Sequence, residues 1–172
     1  LDENRIAVVG HSRGGKTALW TAARDKRVTM AAASCAGNSG DALSRGNTGE
    51  RIADITDKFS YWFCPGYKKF SKREEELPFD QHMLLSLIAP RLLYTSARTR
   101  DSWADPEGQF QSLLEVSSVY ELYGKEGIKK GSRQKPETPL QDSCIGHHIK
   151  TGFHGLDEYD WNCYLDFADR HL

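Results

Sequence analysis

The sequence has no long apolar run, and this absence bears on its relation to membranes. None of its 172 residues fall in a stretch approaching the roughly 18 apolar residues that a membrane-spanning helix requires. The opening residues, LDENRI, are too polar for a secretory signal peptide. Internal repeats and low-complexity tracts are also lacking. The pattern predicts a chain that does not enter a membrane and is neither a repeat array nor a disordered linker.

An excess of charge of either sign is missing as well. The 23 basic residues nearly cancel the 24 acidic ones, which leaves a formal net charge of -1. A near-neutral chain gives no electrostatic reason to expect nucleic acid or an anionic membrane as a partner. The hydrophobic share of 38% and the length of 172 residues are enough for one domain with its own core.

Cysteine is scarce and does not occur in metal-binding patterns. The four cysteines, Cys35, Cys64, Cys144 and Cys163, show neither C-x-x-C nor a mixed Cys/His spacing, so no zinc site is predicted. Free or buried thiols are the favoured interpretation. Disulfides in a secreted protein remain open, and the cellular compartment is therefore not readable from the cysteine count.

Strand and helix patterns alternate along the chain. Strands are predicted over 5–9, 28–34 and 91–96, with a last short strand over 147–150, because these are short apolar or β-branched runs. Helices are predicted from 13 to about 24, over 109–123 and over 156–171. Residues 35 to about 80 read as ordered loops with short helices above an active-site face. This order predicts a parallel α/β sheet.

The segment Gly10-His11-Ser12-Arg13-Gly14 matches G-x-S-x-G between a predicted strand and a predicted helix. The two glycines are expected to permit a sharp turn that exposes the Ser12 hydroxyl as a nucleophile. The backbone amide of Arg13 and the positive end of the helix would stabilise an oxyanion. A glycine-rich turn with no catalytic role is the alternative.

An acid and a base follow in the order that an α/β-hydrolase requires. Asp101 comes shortly after the third predicted strand, and Asp105 competes with it, although a helix N-cap is the simpler role for Asp105. His154 precedes the last predicted helix and is the favoured base. His147 and His148 remain possible bases, but they fall on a predicted strand, where half-buried packing is the commoner role.

The position of the motif suggests that part of the domain lies outside the chain. A nucleophile turn in this fold normally follows several earlier strands, whereas here it begins ten residues from the first residue. We therefore expect residues 1–172 to be the C-terminal portion of an α/β-hydrolase catalytic domain whose N-terminal strands are missing.

Several longer segments resemble the glucuronoyl esterases of carbohydrate esterase family 15, in particular the bacterial members. They are GHSRGGKTALW, ALSRGNTGE, YWFCPGY, FDQHMLLSLIAPRLLY, DSWADPEG and GFHGLDEYDWNCYLDFADRHL. The resemblance covers essentially the whole chain and implies an α/β-hydrolase fold, a three-layer α/β/α sandwich around a parallel sheet. It also implies hydrolysis of the ester between 4-O-methyl-glucuronic acid on glucuronoxylan and lignin or another alcohol.

The resemblance assigns further residues. Ser12 and His154 match the family's nucleophile and base, and Arg13 matches its oxyanion stabiliser. Lys16, Glu50 and Trp103 match its sugar-binding residues.

The sequence departs from the family where many members place a catalytic glutamate. Cys35 stands at that position, so the acid role is expected to fall to Asp101. Asn38 and Asp41 replace small residues nearby.

Two rival functions stay open. Another α/β-hydrolase esterase, such as an acetyl xylan esterase, or a serine peptidase would share the motif, because G-x-S-x-G does not report the acyl group. A non-catalytic remnant that only binds sugar is the rival outside enzymes. No metal or organic cofactor is implied, a monomer acting on a carbohydrate substrate is expected, and the family resemblance implies a secreted or periplasmic location.

Overall fold

A parallel β-sheet organises the chain. In the computed structural model, which describes residues 2–172, the sheet contains β1 (Ile6–His11), β2 (Val28–Ser34), β3 (Leu92–Arg98) and β4 (Ile145–Lys150). The strands lie in the order of the sequence, and each neighbouring pair is parallel. Because parallel strands run in one direction, their carboxyl ends meet at one edge, and the segments that follow them form a common surface.

Residues 2–172 form six α-helices. They are α1 (Arg13–Arg24), α2 (Ile52–Lys58), α3 (Pro65–Lys68), α4 (Gln81–Ser86), α5 (Pro106–Leu122) and α6 (Glu158–His171), with short 3-10 turns at Glu74–Glu76 and Ser102–Ala104. Of these, α1, α4, α5 and α6 pack on the sheet. The predicted order of strands and helices is confirmed, and the bounds differ from the predicted ones by a few residues. The polar stretch after β2 contains short helices, as predicted.

The core has two halves, one on each face of the sheet. Strand β2 turns Ala31 and Ala33 toward one face, where they pack with residues of α1, α4 and α5. Met30 and Ala32 face the other way and pack with Tyr164 and other side chains of α6. Since successive residues of a strand point to opposite faces, a strand buried on both sides must be apolar throughout, as β2 is. The three layers confirm the predicted α/β/α sandwich.

Side-chain caps determine where the two long helices after β3 begin. The Asp105 carboxylate accepts a hydrogen bond from the Gly108 amide at 3.2 Å, and Pro106 occupies the first position of α5. At α6, Asp157 and Asp160 form a reciprocal capping box. Both helices therefore start at defined points directly above the carboxyl edge of the sheet.

All four cysteines are unpaired thiols. Over residues 2–172, no helix combines the length and the apolar character that crossing a bilayer demands.

Candidate active site

Ser12 lies at the sharp turn between β1 and α1. Its backbone has φ 57° and ψ -123°, a conformation that residues with a side chain rarely adopt. Its amide donates to the Ser34 carbonyl at 2.7 Å, and its carbonyl accepts from the Lys16 amide at 3.1 Å. The turn thus places the Ser12 side chain at the carboxyl edge of the sheet, in the geometry of a nucleophile elbow.

The turn requires glycine at position 10 but not at position 14. A Cβ on Gly10 would lie 2.1 Å from the Gly14 carbonyl oxygen, whereas a Cβ on Gly14 would meet nothing within 4 Å among residues 2–172. The prediction that both glycines permit the turn therefore holds only for Gly10. Gly15 also packs closely, because its Cβ would come within 3.0 Å of Ala36.

Asp101 and His154 form a hydrogen-bonded pair. The His154 Nδ1 donates to Asp101 Oδ2 at 2.7 Å. The carboxylate is buried, while the imidazole is partly open to solvent, with 41% of its side chain exposed. Burial alone would raise the pKa of Asp101, but the hydrogen bond and charge of His154 outweigh it and hold the pKa below its usual value. An ionised Asp101 keeps the proton on Nδ1 and leaves Nε2 free to act as a base.

Backbone hydrogen bonds join the segments that carry this pair. The Thr99 amide donates to the Lys150 carbonyl at 3.0 Å, and the Arg100 amide donates to the Gly152 carbonyl at 2.9 Å. The pairing of β3 and β4 therefore continues beyond the strands. Asp101 and His154 lie just after this extension, and the extended ladder brings their chain segments side by side.

His154 lies next to His11, the residue that precedes Ser12. The rings of His11 and His154 pack with their centroids 4.6 Å apart. Burial, followed by the charge of His154, lowers the pKa of His11, so its ring is neutral at neutral pH. In the part of the chain described, the Ser12 hydroxyl forms no hydrogen bond with His154. Catalytic hydrogen bonds are often long or poorly aligned without substrate, so this geometry is compatible with a catalytic pair.

Arg13 is the first residue of α1 and is exposed. Its backbone amide belongs to the free first turn of the helix, where the partial positive charge favours an anion. The guanidinium lies over the ring of Trp62, 5.1 Å from the ring centroid. Trp62 in turn stacks on Phe59 at 3.9 Å. The aromatic segment after α2 therefore holds the Arg13 side chain beside the elbow.

Glu50 contacts both Lys16 and Trp103. Lys16 Nζ donates to Glu50 Oε1 at 2.7 Å, and Trp103 Nε1 donates to Glu50 Oε2 at 3.1 Å. Lys16 Nζ also donates to the carbonyls of Ala36 and Asn38, each at 2.5 Å. All three ammonium hydrogens are thus used within the protein. A sugar hydroxyl that binds Lys16 would have to replace one of these acceptors, whereas half of the Trp103 surface is open.

Cys35 lies against the Asp101 and His154 pair. Ligand atoms of Cys35, Asp101 and His154 all lie within 4.8 Å of one another, and within residues 2–172 this is the group placed closely enough to hold a metal ion. Burial raises the pKa of the Cys35 thiol to about 12. The thiol is therefore neutral. It cannot take the place of a carboxylate beside the His154 imidazole.

The competing acid and bases are engaged elsewhere. Asp105 accepts hydrogen bonds from Gly108 and from the Thr48 hydroxyl, the latter at 2.8 Å. His147 is buried between Thr95 and Gln134, and burial lowers its pKa to about 3. His148 is equally buried and contacts Asp160. The two histidines were predicted to be half-buried. They are fully buried instead, because β4 is covered on both faces.

Two contacts of this site were not foreseen from the sequence. Trp62 lies in the 35–80 segment expected above the active-site face, but its contact with Arg13 joins elements far apart in the chain. Arg98 and Asp160 form a buried ion pair close to the site. The spacing of Asp157 and Asp160 before an apolar helix is a capping-box signal that would have identified one of these partners.

Comparison with known proteins agrees with this geometry. A family described as "Glucuronyl esterase, fungi" matches residues 1–124. Carbohydrate esterase MZ0003, from an unknown prokaryotic organism, is 40% identical over 172 residues, which are 100% of this chain and 40% of that protein. The chain thus spans about two fifths of the length of this curated relative.

Solved structures give the same result. A promiscuous CE15 esterase from a marine bacterial metagenome superposes with a TM-score of 0.97 at 39% identity, covering 100% of this chain and 43% of that one. The glucuronoyl esterase from Solibacter usitatus superposes with a TM-score of 0.93 at 42% identity, covering 98% of this chain and 43% of that one. With the fold, the elbow and these matches in agreement, the chain belongs to the glucuronoyl esterase family, carbohydrate esterase family 15.

Proposed function

We propose that the protein carrying this chain is a serine esterase that cleaves the ester between 4-O-methyl-glucuronic acid on glucuronoxylan and lignin or another alcohol. The observation that carries the proposal is the 2.7 Å hydrogen bond between Asp101 and His154 beside the strained Ser12 turn. Family membership supports the choice of acyl group. Residues 1–172 form the C-terminal portion of the catalytic domain in this proposal.

The first chemical step forms an acyl-enzyme. Ser12 Oγ attacks the uronate ester carbonyl while its proton passes to His154 Nε2, and Asp101 stabilises the resulting imidazolium. The Arg13 amide and guanidinium stabilise the oxyanion. The intermediate collapses, the bond to the alcohol oxygen breaks, and His154 returns the proton to that oxygen, so the alcohol leaves.

The second step reverses these roles. Water loses a proton to His154 and attacks the acyl carbon, and the same oxyanion groups stabilise the second tetrahedral intermediate. The bond to Ser12 Oγ breaks, Ser12 recovers its proton from His154, and glucuronate is released. Glu50 and Trp103 contact the sugar, while Lys16 holds Glu50 in place; no metal or organic cofactor takes part.

The working form and location follow from the same proposal. The protein acts as a monomer on a polysaccharide substrate, with no nucleic acid or membrane partner. Its substrate is a plant cell-wall polymer that does not enter cells, so we propose a secreted or periplasmic enzyme.

Substrate preference and labelling test the function. The protein, expressed from its complete natural reading frame, is expected to hydrolyse glucuronate benzyl or methyl esters in preference to acetylated xylan and peptide substrates. A fluorophosphonate probe is expected to label the wild type at Ser12, and Ser12→Ala is expected to lose both labelling and at least about 10³-fold in kcat. Equal or better activity on acetylated xylan would favour the acetyl esterase rival, and a folded protein that resists labelling would favour the sugar-binding remnant.

A further inference from the structure

A buried cluster made of an ion pair and a histidine connects the chain segments that carry Asp101 and His154. We call it the Asp160 cluster, and it consists of Arg98, His148 and Asp160. Arg98 Nη1 donates to Asp160 Oδ1 at 2.9 Å, and its Nη2 donates to the other carboxylate oxygen. His148 Nε2 donates to Asp160 Oδ1 at 2.8 Å. The three residues are between 0% and 3% exposed.

The cluster is attached to both catalytic loops. Arg98 is the last residue of β3, and its carbonyl accepts from the Asp101 amide at 3.2 Å. Asp160 lies in the first turn of α6, and its Oδ2 accepts from the Asp157 amide at 2.8 Å, which closes the loop that carries His154. A single carboxylate therefore ties the end of β3, strand β4 and the start of α6 together.

A buried ion pair of this kind is an inefficient means of stabilising a core. A buried ion pair gains little over well-packed apolar side chains, because both charges lose their hydration. Burial would raise the pKa of Asp160, but the hydrogen bonds from His148 and Arg98 reverse the effect and hold it well below its usual value. What the pair supplies beyond stability is a fixed geometry at the point where the two loops begin.

The charges of the cluster also reach the active-site imidazoles. His11, which packs on His154, has its pKa lowered first by burial and then by the charge of His154. Asp160 acts on the same ring in the raising direction and Arg98 in the lowering direction. The two charges of the pair therefore act with opposite signs, and removing one of them leaves the other uncompensated.

We propose that Arg98 and Asp160 are positioning residues for the Asp101 and His154 pair. The ion pair sets the separation of the two chain segments that carry Asp101 and His154. This proposal rests on the proposed serine esterase function, because only a working Asp101 and His154 pair makes such positioning matter.

Asp160→Asn tests the positioning. The variant is nearly isosteric but loses the charge and one strong acceptor, so the loops gain freedom. We expect kcat on a glucuronate ester to fall about 10- to 100-fold, with KM within about threefold, because a displacement of the order of 1 Å costs about that much in rate while the sugar-binding residues are untouched. The rate of fluorophosphonate labelling of Ser12 is expected to fall in parallel.

The pH profile separates positioning from a merely structural role. The ionisable groups that face His154 include His11 of β1, Cys35 after β2 and Asp101 after β3, and the charges of Arg98 and Asp160 act on His11 beside it. In Asp160→Asn the uncompensated Arg98 charge opposes protonation of the base. The acidic limb of the kcat/KM profile is therefore expected to move to lower pH by about half a unit or more. In the double variant R98Q/D160N the limb is expected to return to the wild-type position, since neither charge remains.

A second ion pair with a buried carboxylate provides the control. Glu74 is 2% exposed, accepts from the Ile52 amide at 3.1 Å and pairs with Arg51 at 2.9 Å, so Glu74→Gln removes an equivalent cap and ion pair away from the Asp101 and His154 loops. We expect this variant to lose thermal stability with its pH profile unchanged.

An Asp160→Asn protein that is folded and keeps the wild-type kcat, labelling rate and pH profile would overturn the positioning role. A wild type that labels at Ser12 but ignores glucuronate esters would instead overturn the proposed function alone, because the labelling rate still measures the positioning.

Discussion

The direction of single side chains decides which carboxylate pairs with His154. Asp101 is buried and bonded to His154 Nδ1, whereas Asp105, four residues later, turns its carboxylate to Thr48 and to the start of α5. The thiol of Cys35 lies in the same place as a potential acid but stays neutral, because burial raises its pKa to about 12. The choice between two aspartates in one short segment therefore depends on which way each side chain points.

Asp101→Asn and Asp105→Asn form a matched pair of tests. An amide at position 101 presents the wrong group to Nδ1 and cannot stabilise the imidazolium, so we expect kcat to fall about 10²- to 10⁴-fold with little change in KM. Asparagine at position 105 still caps a helix, and its left-handed φ of 54° suits asparagine, so stability should stay within about 0.5 kcal/mol. Steady-state kinetics and thermal melts measure both; a larger kcat loss at position 105 would reverse the assignment.

At the scale of elements, the junction of β1 and α1 sets the position of Ser12, the proposed nucleophile. The strand must end, turn and enter a helix within a few residues, and Ser12 accommodates this turn in a strained conformation. Gly10 makes the turn possible because the Gly14 carbonyl occupies the place of its Cβ. The surrounding structure maintains this strained conformation. Before the turn, β1 is paired with β2, and after it, α1 packs on the sheet.

Gly10→Ala and Gly14→Ala test this junction within one motif. The Cβ at position 10 would lie 2.1 Å from a backbone oxygen, so the turn must open. We expect Gly10→Ala to lose fluorophosphonate labelling and at least about 3 kcal/mol of stability, a loss on the scale of severe core disruption. At position 14 the Cβ enters open space inside a helix, and alanine should stabilise the protein by up to about 1 kcal/mol. Urea unfolding reports the energies, and comparable losses in the two variants would contradict this account of the elbow.

At the scale of the whole molecule, one buried carboxyl makes stability depend on pH. Asp41 is fully buried; its Oδ1 accepts from Gln109 Nε2 at 2.8 Å, while its Oδ2 and Gln109 Oε1 have no hydrogen-bond partner among residues 2–172. Burial raises the pKa of Asp41 from 3.8 to about 7. Between these two values the folded protein keeps a proton that the unfolded chain has lost, so stability falls as the pH rises from about 4 to 7.

Asp41→Asn should remove this loss. The amide does not titrate, and its NH₂ group can donate to the unpartnered Gln109 Oε1. We expect the variant to exceed the wild type by about 1 to 3 kcal/mol at pH 8, the cost of a buried group without a partner, and to have a smaller advantage at pH 5. Urea melts at the two pH values measure the difference. Asp142→Asn, at a position whose side chain is 94% exposed, is the control and should change neither value; an advantage for Asp41→Asn that is equal at both pH values would contradict the assignment.

The order of elements and the location of the elbow were determined by the sequence itself. The signals are local: a β-branched run at 6–9, the glycine at position 10 and good helix formers from 13 onward. Backbone preferences and hydrophobic periodicity are enough to predict a strand, a turn and a helix from them. The acid and base could be narrowed to Asp101 and His154 because their place in the chain order of an α/β-hydrolase is itself a sequence property.

The remaining features were decided only when distant segments packed together. Lys16 gives all its hydrogens to acceptors between 20 and 34 residues away, and Arg98 finds Asp160 across 62 residues. Contacts of this kind produce no periodic pattern in the sequence, because they depend on the twist of the sheet and on how the helices cover it. The burial that holds the Cys35 thiol neutral and keeps a proton on Asp41 is likewise a property of the assembled core, since an isolated segment would leave both groups in water.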